Sequence, residues 1–238
     1  MHLARRGVVV NGIDAAPQMV AGAAAKLRAE GMSERARFRV ATVEDLAELP
    51  GPDPQDRTMG DTPDSTPANT WDGAYANFGV LNCVTDLPAF GQSLAARIRP
   101  GGRFLAVVMG PNCAWEWAWY LGRGDRQRAF RRRRRGGIDL NWDGHKLHVD
   151  YPSIGQLKDA LSPHFELQAS EAIGFLLPPS YAADWLNARP RLLARCVEIE
   201  SEVARWPLAV RLADHYLADF TRVDAVTTTA SAESASRP

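Results

Sequence analysis

Asp14 is the first residue in the chain whose type and position suggest a chemical task. It ends the segment VVVNGID, in which three consecutive valines and Ile13 are typical of a buried parallel strand. A carboxylate at the carboxyl end of such a strand can accept hydrogen bonds from both hydroxyls of a ribose. Alternatively, Asp14 caps the helix predicted to begin near Pro17. This segment alone leaves both interpretations open.

Glu116 is the second candidate, because it is the only carboxylate in the aromatic segment WEWAWY from Trp115 to Tyr120. The segment follows a predicted strand that ends at Gly110. Aromatic rings around one carboxylate at a strand end suit a substrate pocket, in which Glu116 would act as a general base. The alternative is a helix that packs its rings on the core and leaves Glu116 solvated. Glu116 is the predicted catalytic residue, and no metal site is expected.

An arginine-rich stretch follows, with eight arginines between Arg123 and Arg135. Guanidinium groups suit phosphate oxygens, so contact with a phosphate or a nucleic acid is one interpretation. However, 28 Lys and Arg are balanced by 28 Asp and Glu, which argues against a nucleic-acid partner. We therefore expect the arginine run to face water.

Strands that alternate with helices must position these residues. The predicted strands lie at 8–13, 37–40, 71–79, 103–110, 165–177 and 215–223. The predicted helices between them lie at 17–30, 43–49, 86–99 and 154–161. Such alternation is typical of an α/β fold, here a Rossmann-like, doubly wound and mostly parallel sheet.

Composition divides the chain into one domain with insertions. Residues 1–223 are predicted to form the domain and residues 224–238 a disordered tail. The predicted insertions are a flexible segment rich in Pro, Asp and Thr at 51–70, a lid at 111–150 and a helical insertion at 180–213.

The overall composition is that of an ordinary globular protein, with 238 residues, 45% hydrophobic and 24% charged. No apolar run approaches the roughly 18 residues of a membrane span. The three cysteines lack the spacing of a zinc site and favour a reducing compartment. We expect a cytoplasmic protein that acts on a small molecule and has no membrane partner; the sequence does not indicate an oligomeric state.

Four stretches within residues 2–110 resemble class I S-adenosylmethionine-dependent methyltransferases, in order and in separation. They are HLARRGVVVNGIDAAPQMVAGAAAKL, VATVEDL, WDGAYANFGVLNCV and IRPGGRFLAVVMG. The Arg-Pro-Gly-Gly turn before a buried strand is the most specific of these features. The resemblance implies S-adenosylmethionine as the cofactor, and transfer of its methyl group to an O, N or C atom of a small molecule.

The resemblance also implies roles for residues at the first two strand ends. Asp14 would bind the ribose hydroxyls, while Thr42, Val43 and Glu44 would line the adenine. The family usually has Asp where this chain has Thr42, so Glu44 or Asp45 is expected to make the contact with the adenine amino group.

The methionine part of the cofactor and the transferred methyl would lie near Asn77, Phe78 and Gly79. Ahead of the Asp14 strand, the family has a first strand and a loop of the form G-x-G-x-G, where the absence of Cβ atoms lets the backbone approach the cofactor. Neither precedes Asp14 in this sequence. We expect a sheet that lacks its first strand, because of a late start codon, gene decay or a fragment, and that leaves two open strand edges.

Two other functions fit some of these residues. One is a non-catalytic binding or regulatory remnant of the fold that has lost its cofactor loop. The other is an NAD(P)-dependent oxidoreductase, which Asp14 alone would permit. The Pro100-Gly101-Gly102 element and the absence of a Tyr-x-x-x-Lys pair argue against the oxidoreductase.

Overall fold

The computed structural model describes residues 2–53, 69–142 and 145–224, with Trp142 and His145 described by their backbone alone. The helices are α1 (His2–Arg5), α2 (Pro17–Ala29), α3 (Leu87–Ala95), α4 (Ala114–Leu121), α5 (Arg126–Ala129), α6 (Ile154–Leu161), α7 (Ala183–Asn187), α8 (Pro190–Val203) and α9 (Pro207–Leu212). The strands are β1 (Val10–Asp14), β2 (Ala36–Val40), β3 (Trp71–Ala76), β4 (Ile98–Met109), β5 (Ile138–Trp142), β6 (His145–Val149), β7 (Phe165–Ile173) and β8 (His215–Arg222).

The first sheet is the parallel pair of β1 and β2, in which Asp14 lies opposite Val40. The sequence predicts that β1 begins at Val8, but it begins at Val10. The reason is local, because the Val8 N–H donates to the Leu3 carbonyl at 3.2 Å and so belongs to the turn that ends α1.

The second sheet has the strand order β3-β4-β8-β7. β3 and β4 are parallel, whereas β8 runs antiparallel to both β4 and β7. The main core lies against this sheet, where the rings of Phe104, Phe165 and Phe220 meet apolar side chains of α3 and α6. This is the α/β architecture that the alternating sequence pattern predicts, although the prediction is of a mostly parallel sheet and this one has one parallel and two antiparallel pairs.

The Pro100-Gly101-Gly102 element lies inside β4 as a bulge and does not form a turn ahead of the strand. Trp71 pairs with Ile98 and Gly73 with Arg103, so the intervening residues of β4 loop out of the ladder. Gly101 has φ 74°, and a Cβ on Gly102 would lie 2.5 Å from a side-chain carbon of Ile98. Two glycines are therefore needed where the chain doubles back on itself.

In the described part of the chain, β1 and β3 each pair with another strand on one side only, as do β2 and β7 at the opposite ends of the same two sheets. Among the described residues, the fully buried core beneath the first sheet is Ala4, Leu27 and Ala36, with Val10, Met32 and Phe38 packed against it. Tyr75 on β3 is 54% exposed. Parallel strands are normally covered on both faces. The absence of a first strand stays a prediction, and the open edges of β1 and β3 are the feature that it would explain.

The side chain of Arg97 connects the turn after β2 to the second sheet. The short 3₁₀ helix Glu44–Ala47 stands where the sequence predicts a longer helix. Its carbonyls at Leu46 and Ala47 accept hydrogen bonds from the guanidinium of Arg97, the Leu46 bond being 2.9 Å long. Arg97 lies between α3 and β4, so it links the two sheets.

The C-terminal half follows the predicted helix boundaries. Ser153 caps α6 in a reciprocal capping box with Gln156. Pro190 and Pro207 begin α8 and α9, where a missing N–H leaves no hydrogen bond unmade. Most of the insertion predicted at 51–70, and the tail beyond Asp224, lie outside the described residues. No helix in the described ranges is long and apolar enough to cross a membrane.

Candidate functional site

Asp14 ends β1 with its side chain exposed. Its Oδ1 accepts a hydrogen bond of 2.8 Å from the backbone N–H of Ala16, which is itself the N-cap residue of α2. The carboxylate therefore shapes the turn ahead of the helix without being its cap. Its Oδ2 has no hydrogen-bond partner among the described residues, so an acceptor for a ligand hydroxyl is available at this strand end.

The turn after β2 lies beside Asp14, since the Ala41 N–H donates to the Asp14 carbonyl at 3.2 Å. Within this turn, the Oδ2 atom of Asp45 accepts hydrogen bonds from the Thr42 backbone at 2.8 Å and the Thr42 hydroxyl at 3.0 Å. These bonds lower the pKa of Asp45 below its ordinary value. Val43 packs toward the core and Glu44 is exposed.

The third strand end contains Asn77, Phe78 and Gly79. Phe78 has φ 41°, a backbone conformation that non-glycine residues rarely adopt and that is concentrated at functional sites. Its ring is 64% exposed. Gly79 has φ 86°, and its N–H donates to the Val107 carbonyl at 3.3 Å, which holds this turn against β4.

Asn82 fixes the same edge of the sheet and was not identified from the sequence. Its side chain is 1% exposed; Nδ2 donates to the Met109 carbonyl at 2.9 Å and to the Asp150 carbonyl at 2.6 Å, while Oδ1 accepts from the Met109 N–H at 3.0 Å. The side chain therefore clamps the end of β4 to the segment that enters α6.

Glu116 lies on α4 and is 1% exposed, so the interpretation of a solvated carboxylate is wrong. Its Oε1 accepts hydrogen bonds from Arg131 at 2.6 Å and from Arg132 at 3.0 Å. Its Oε2 is buried without a hydrogen-bond partner among the described residues, as are the Nε atoms of both arginines. Such atoms mark a place for a bound water or a ligand group.

Arg132 contradicts the expectation that the arginine run faces water, since it is only 6% exposed. It donates to the Asp214 carbonyl at 2.7 Å and to Oδ1 of the same residue at 2.5 Å. Burial alone would lower the pKa of Arg132, but Glu116 and Asp214 raise it above the ordinary value. Arg133 and Arg134 are exposed as predicted. We call Glu116, Arg132 and Asp214, together with the partly exposed Arg131, the buried ion cluster.

His215 begins β8 and lies opposite Met109 at the end of β4. Its Nδ1 is 3.1 Å from Oδ2 of Asp214, and its ring meets the ring of Phe78 edge to face at 5.5 Å. Burial alone would raise the pKa of Asp214, but hydrogen bonds from His215 and Arg132 hold it below the ordinary value. His215 therefore connects the buried ion cluster to the end of β3.

The aromatic segment of α4 packs against the C-terminal helices. Trp115 lies 6.4 Å from Trp185, and Trp119 and Tyr120 lie 6.0 and 5.5 Å from Tyr181, measured between ring centroids. These rings join the predicted lid to the predicted helical insertion. Most rings of the segment therefore pack against other aromatic side chains, which favours the packing interpretation over a substrate pocket.

The predicted site residues form groups at the carboxyl ends of successive strands. The structure brings Asp14 together with the turn from Thr42 to Glu44, and it places Asn77 to Gly79 at the corresponding edge of the second sheet. Glu116 lies in the buried ion cluster, which sequence reasoning missed. Asp214 stands directly before His215 after a predicted helix, and this pairing of neighbours is the signal in the sequence that could have revealed it.

The sequence matches no protein-family model and no curated protein. Solved structures do match. The CcbJ methyltransferase from Streptomyces caelestis has a TM-score of 0.51 and 12% identity over 93% of this chain and 77% of its own. A SAM-dependent methyltransferase from Methanosarcina mazei has a TM-score of 0.50 and 14% identity over 93% and 85%.

A third similar structure is described as a cyclase. This protein, SpnF, has a TM-score of 0.51 and 16% identity over 93% of this chain and 70% of its own. At these identities the likeness concerns the fold and not the reaction. The chain has the Rossmann-like fold of the class I S-adenosylmethionine-dependent methyltransferases.

Proposed function

We propose that this protein binds S-adenosylmethionine at the carboxyl ends of β1, β2 and β3 and transfers its methyl group to a small molecule. The observation that carries the proposal is Asp14, whose Oδ2 has no partner among the described residues and stands at the strand end where open α/β sheets bind ligands. When bound, the cofactor supplies a methyl carbon attached to a positively charged sulfur.

The donor and acceptor groups at these strand ends fit such a cofactor. The carboxylate of Asp14 suits the two ribose hydroxyls. Val43 offers an apolar side chain and Glu44 an exposed carboxylate for the adenine and its amino group. Gly79, in the turn after β3, has no Cβ and has φ 86°, a conformation that residues with side chains rarely adopt. Backbone atoms can therefore approach the methionine part closely.

We further propose that one more strand, with a Gly-rich loop at its carboxyl end, lies between β1 and β3 in the active protein. The open edges of these two strands and the small core beneath the first sheet support this proposal. A parallel strand would satisfy backbone groups on both edges and cover the exposed side of β3.

Glu116 has a different role in this proposal from the one the sequence favours. A general base must reach a proton of the substrate. Glu116 instead has one oxygen held by two arginines and the other buried. We propose that it positions Arg131 and Arg132 and does not touch the acceptor.

Replacement of Asp14 tests the proposal, with two variants that separate its two contacts. Asp14→Ala removes both the turn and the ribose acceptor, and should weaken S-adenosylhomocysteine binding by about 1–3 kcal/mol. Asp14→Asn retains an oxygen for the Ala16 N–H but replaces the second acceptor with a donor, so it should weaken binding nearly as much. Calorimetric titration measures both affinities.

The stability of the two variants provides the control. Asp14→Asn should unfold at the same temperature as the wild-type protein, because the turn is preserved. If Asp14→Asn binds S-adenosylhomocysteine as tightly as the wild type, Asp14 only shapes the turn before α2. A non-catalytic remnant of the fold, the second candidate, predicts that no form of the protein binds the nucleoside.

A further inference from the structure

His215 has one ring nitrogen, Nε2, without a hydrogen bond to any described residue. Its other ring nitrogen, Nδ1, lies 3.1 Å from Oδ2 of Asp214. The side chain is 16% exposed, so it is partly accessible to solvent. The exposed ring of Phe78 stands beside it, at the end of β3.

Asp214 is itself held firmly. Arg132 bonds to its Oδ1 at 2.5 Å and to its carbonyl at 2.7 Å, and Glu116 supports Arg132 from the other side. In a neutral imidazole, a proton on Nδ1 faces Oδ2 of Asp214 at 3.1 Å, and an ionised carboxylate can only accept it. The lone pair then lies on Nε2. Cys113 also lies near Asp214, but it is a poor candidate for the base, because burial raises the pKa of its thiol to about 11.

We propose that His215 is the general base of the methyl transfer and that the acceptor is a phenolic hydroxyl. This role rests on the methyl-transfer function proposed above. A neutral hydroxyl is a poor nucleophile, so a base is useful for this acceptor class, whereas a neutral amine can attack with its own lone pair. The exposed face of Phe78 offers an apolar surface against which an aromatic ring can lie.

The proposed reaction moves a methyl group to the phenolic oxygen and a proton to His215. The phenolic oxygen forms a bond to the methyl carbon, the carbon–sulfur bond breaks, and sulfur keeps the electron pair. The phenolic proton passes to Nε2 of His215, and the resulting imidazolium is stabilised by Asp214 until water removes the proton. The positive charge that sulfur loses therefore appears first on His215 and then in solvent.

Chemical modification tests this placement without requiring turnover. Diethyl pyrocarbonate acylates an unprotonated imidazole nitrogen, and mass spectrometry locates the modified residue. His215 should react faster than His148, although the His148 side chain is 36% exposed, because both nitrogens of His148 lie within 3.3 Å of Asp139 and Asp150. Saturating S-adenosylhomocysteine should slow the reaction at His215 at least severalfold and leave His148 unchanged.

Turnover provides the second measurement, with a panel of simple phenols and methyl-labelled S-adenosylmethionine. His215→Gln should lower the rate by on the order of 10²-fold or more, with the affinity for S-adenosylhomocysteine unchanged by calorimetry. His148→Gln is the matched control and should retain the wild-type rate.

The outcomes separate the two proposals. Failure of every form of the protein to bind S-adenosylhomocysteine would remove the proposed function and this role together. Binding without protection of His215, a wild-type rate in His215→Gln, or binding without methylation of any phenol would overturn the role of His215 and its acceptor class alone.

Discussion

Replacing Arg132 by Gln should lower the free energy of unfolding by about 3–5 kcal/mol. The guanidinium is 6% exposed and joins Glu116 to Asp214. Removing one partner of a buried ion pair leaves the other charge buried without compensation, which is far costlier than losing a surface pair. For a chain of this length the melting temperature should fall by roughly 6–20 °C. Chemical and thermal denaturation followed by circular dichroism measure both quantities.

Arg134→Gln is the matched control, because Arg134 belongs to the same arginine run and its side chain is exposed. It should change the free energy of unfolding by less than about 0.5 kcal/mol. Equal effects of the two substitutions would show that Arg132 is solvated and that the buried ion cluster does not form.

The second large effect concerns the strand proposed between β1 and β3. A longer form of the protein that adds this strand and its Gly-rich loop should bind S-adenosylhomocysteine on the order of 10²-fold more tightly than residues 1–238. Two or three backbone hydrogen bonds from the loop, each contributing about 0.5–1.5 kcal/mol, account for a difference of this size. Calorimetric titration of the two forms gives the ratio.

A variant of the longer form separates the loop from the strand. Replacing the loop glycines by Val keeps the strand pairing but puts Cβ atoms where the backbone must approach the cofactor. The affinity should return close to that of residues 1–238. If both forms bind equally well, the open edges of β1 and β3 have no part in cofactor binding.

The alternating strands and helices of the fold were predictable because each element has a local signal. Apolar β-branched runs predict the strands β1 and β4, although β1, expected to be buried, has no fully buried residue. Ser153 and Pro190 predict helix starts through interactions within a few residues. The errors at these elements are also local. Val8 belongs to the turn after α1 because of its hydrogen bond to Leu3. Gly101 forms a bulge inside β4 because of its backbone conformation. The hydrophobic pattern of the sequence shows neither effect.

The buried ion cluster could not be predicted in the same way. Arg132 and Asp214 are separated by 82 residues, and no local pattern distinguishes Arg132 from its exposed neighbour Arg133. Only the packing of α4 and β8 decides which arginine of the run is buried. For the same reason, Glu116 was recognised as an unusual carboxylate while its two partners were not.

A crystal structure of the protein with S-adenosylhomocysteine at saturating concentration locates the proposed cofactor site. We expect the nucleoside at the carboxyl ends of β1 and β2, with its ribose hydroxyls on Oδ2 of Asp14, and its homocysteine part against the turn at Phe78 and Gly79. A nucleoside bound elsewhere, or none at these strand ends, would rule out the proposed site.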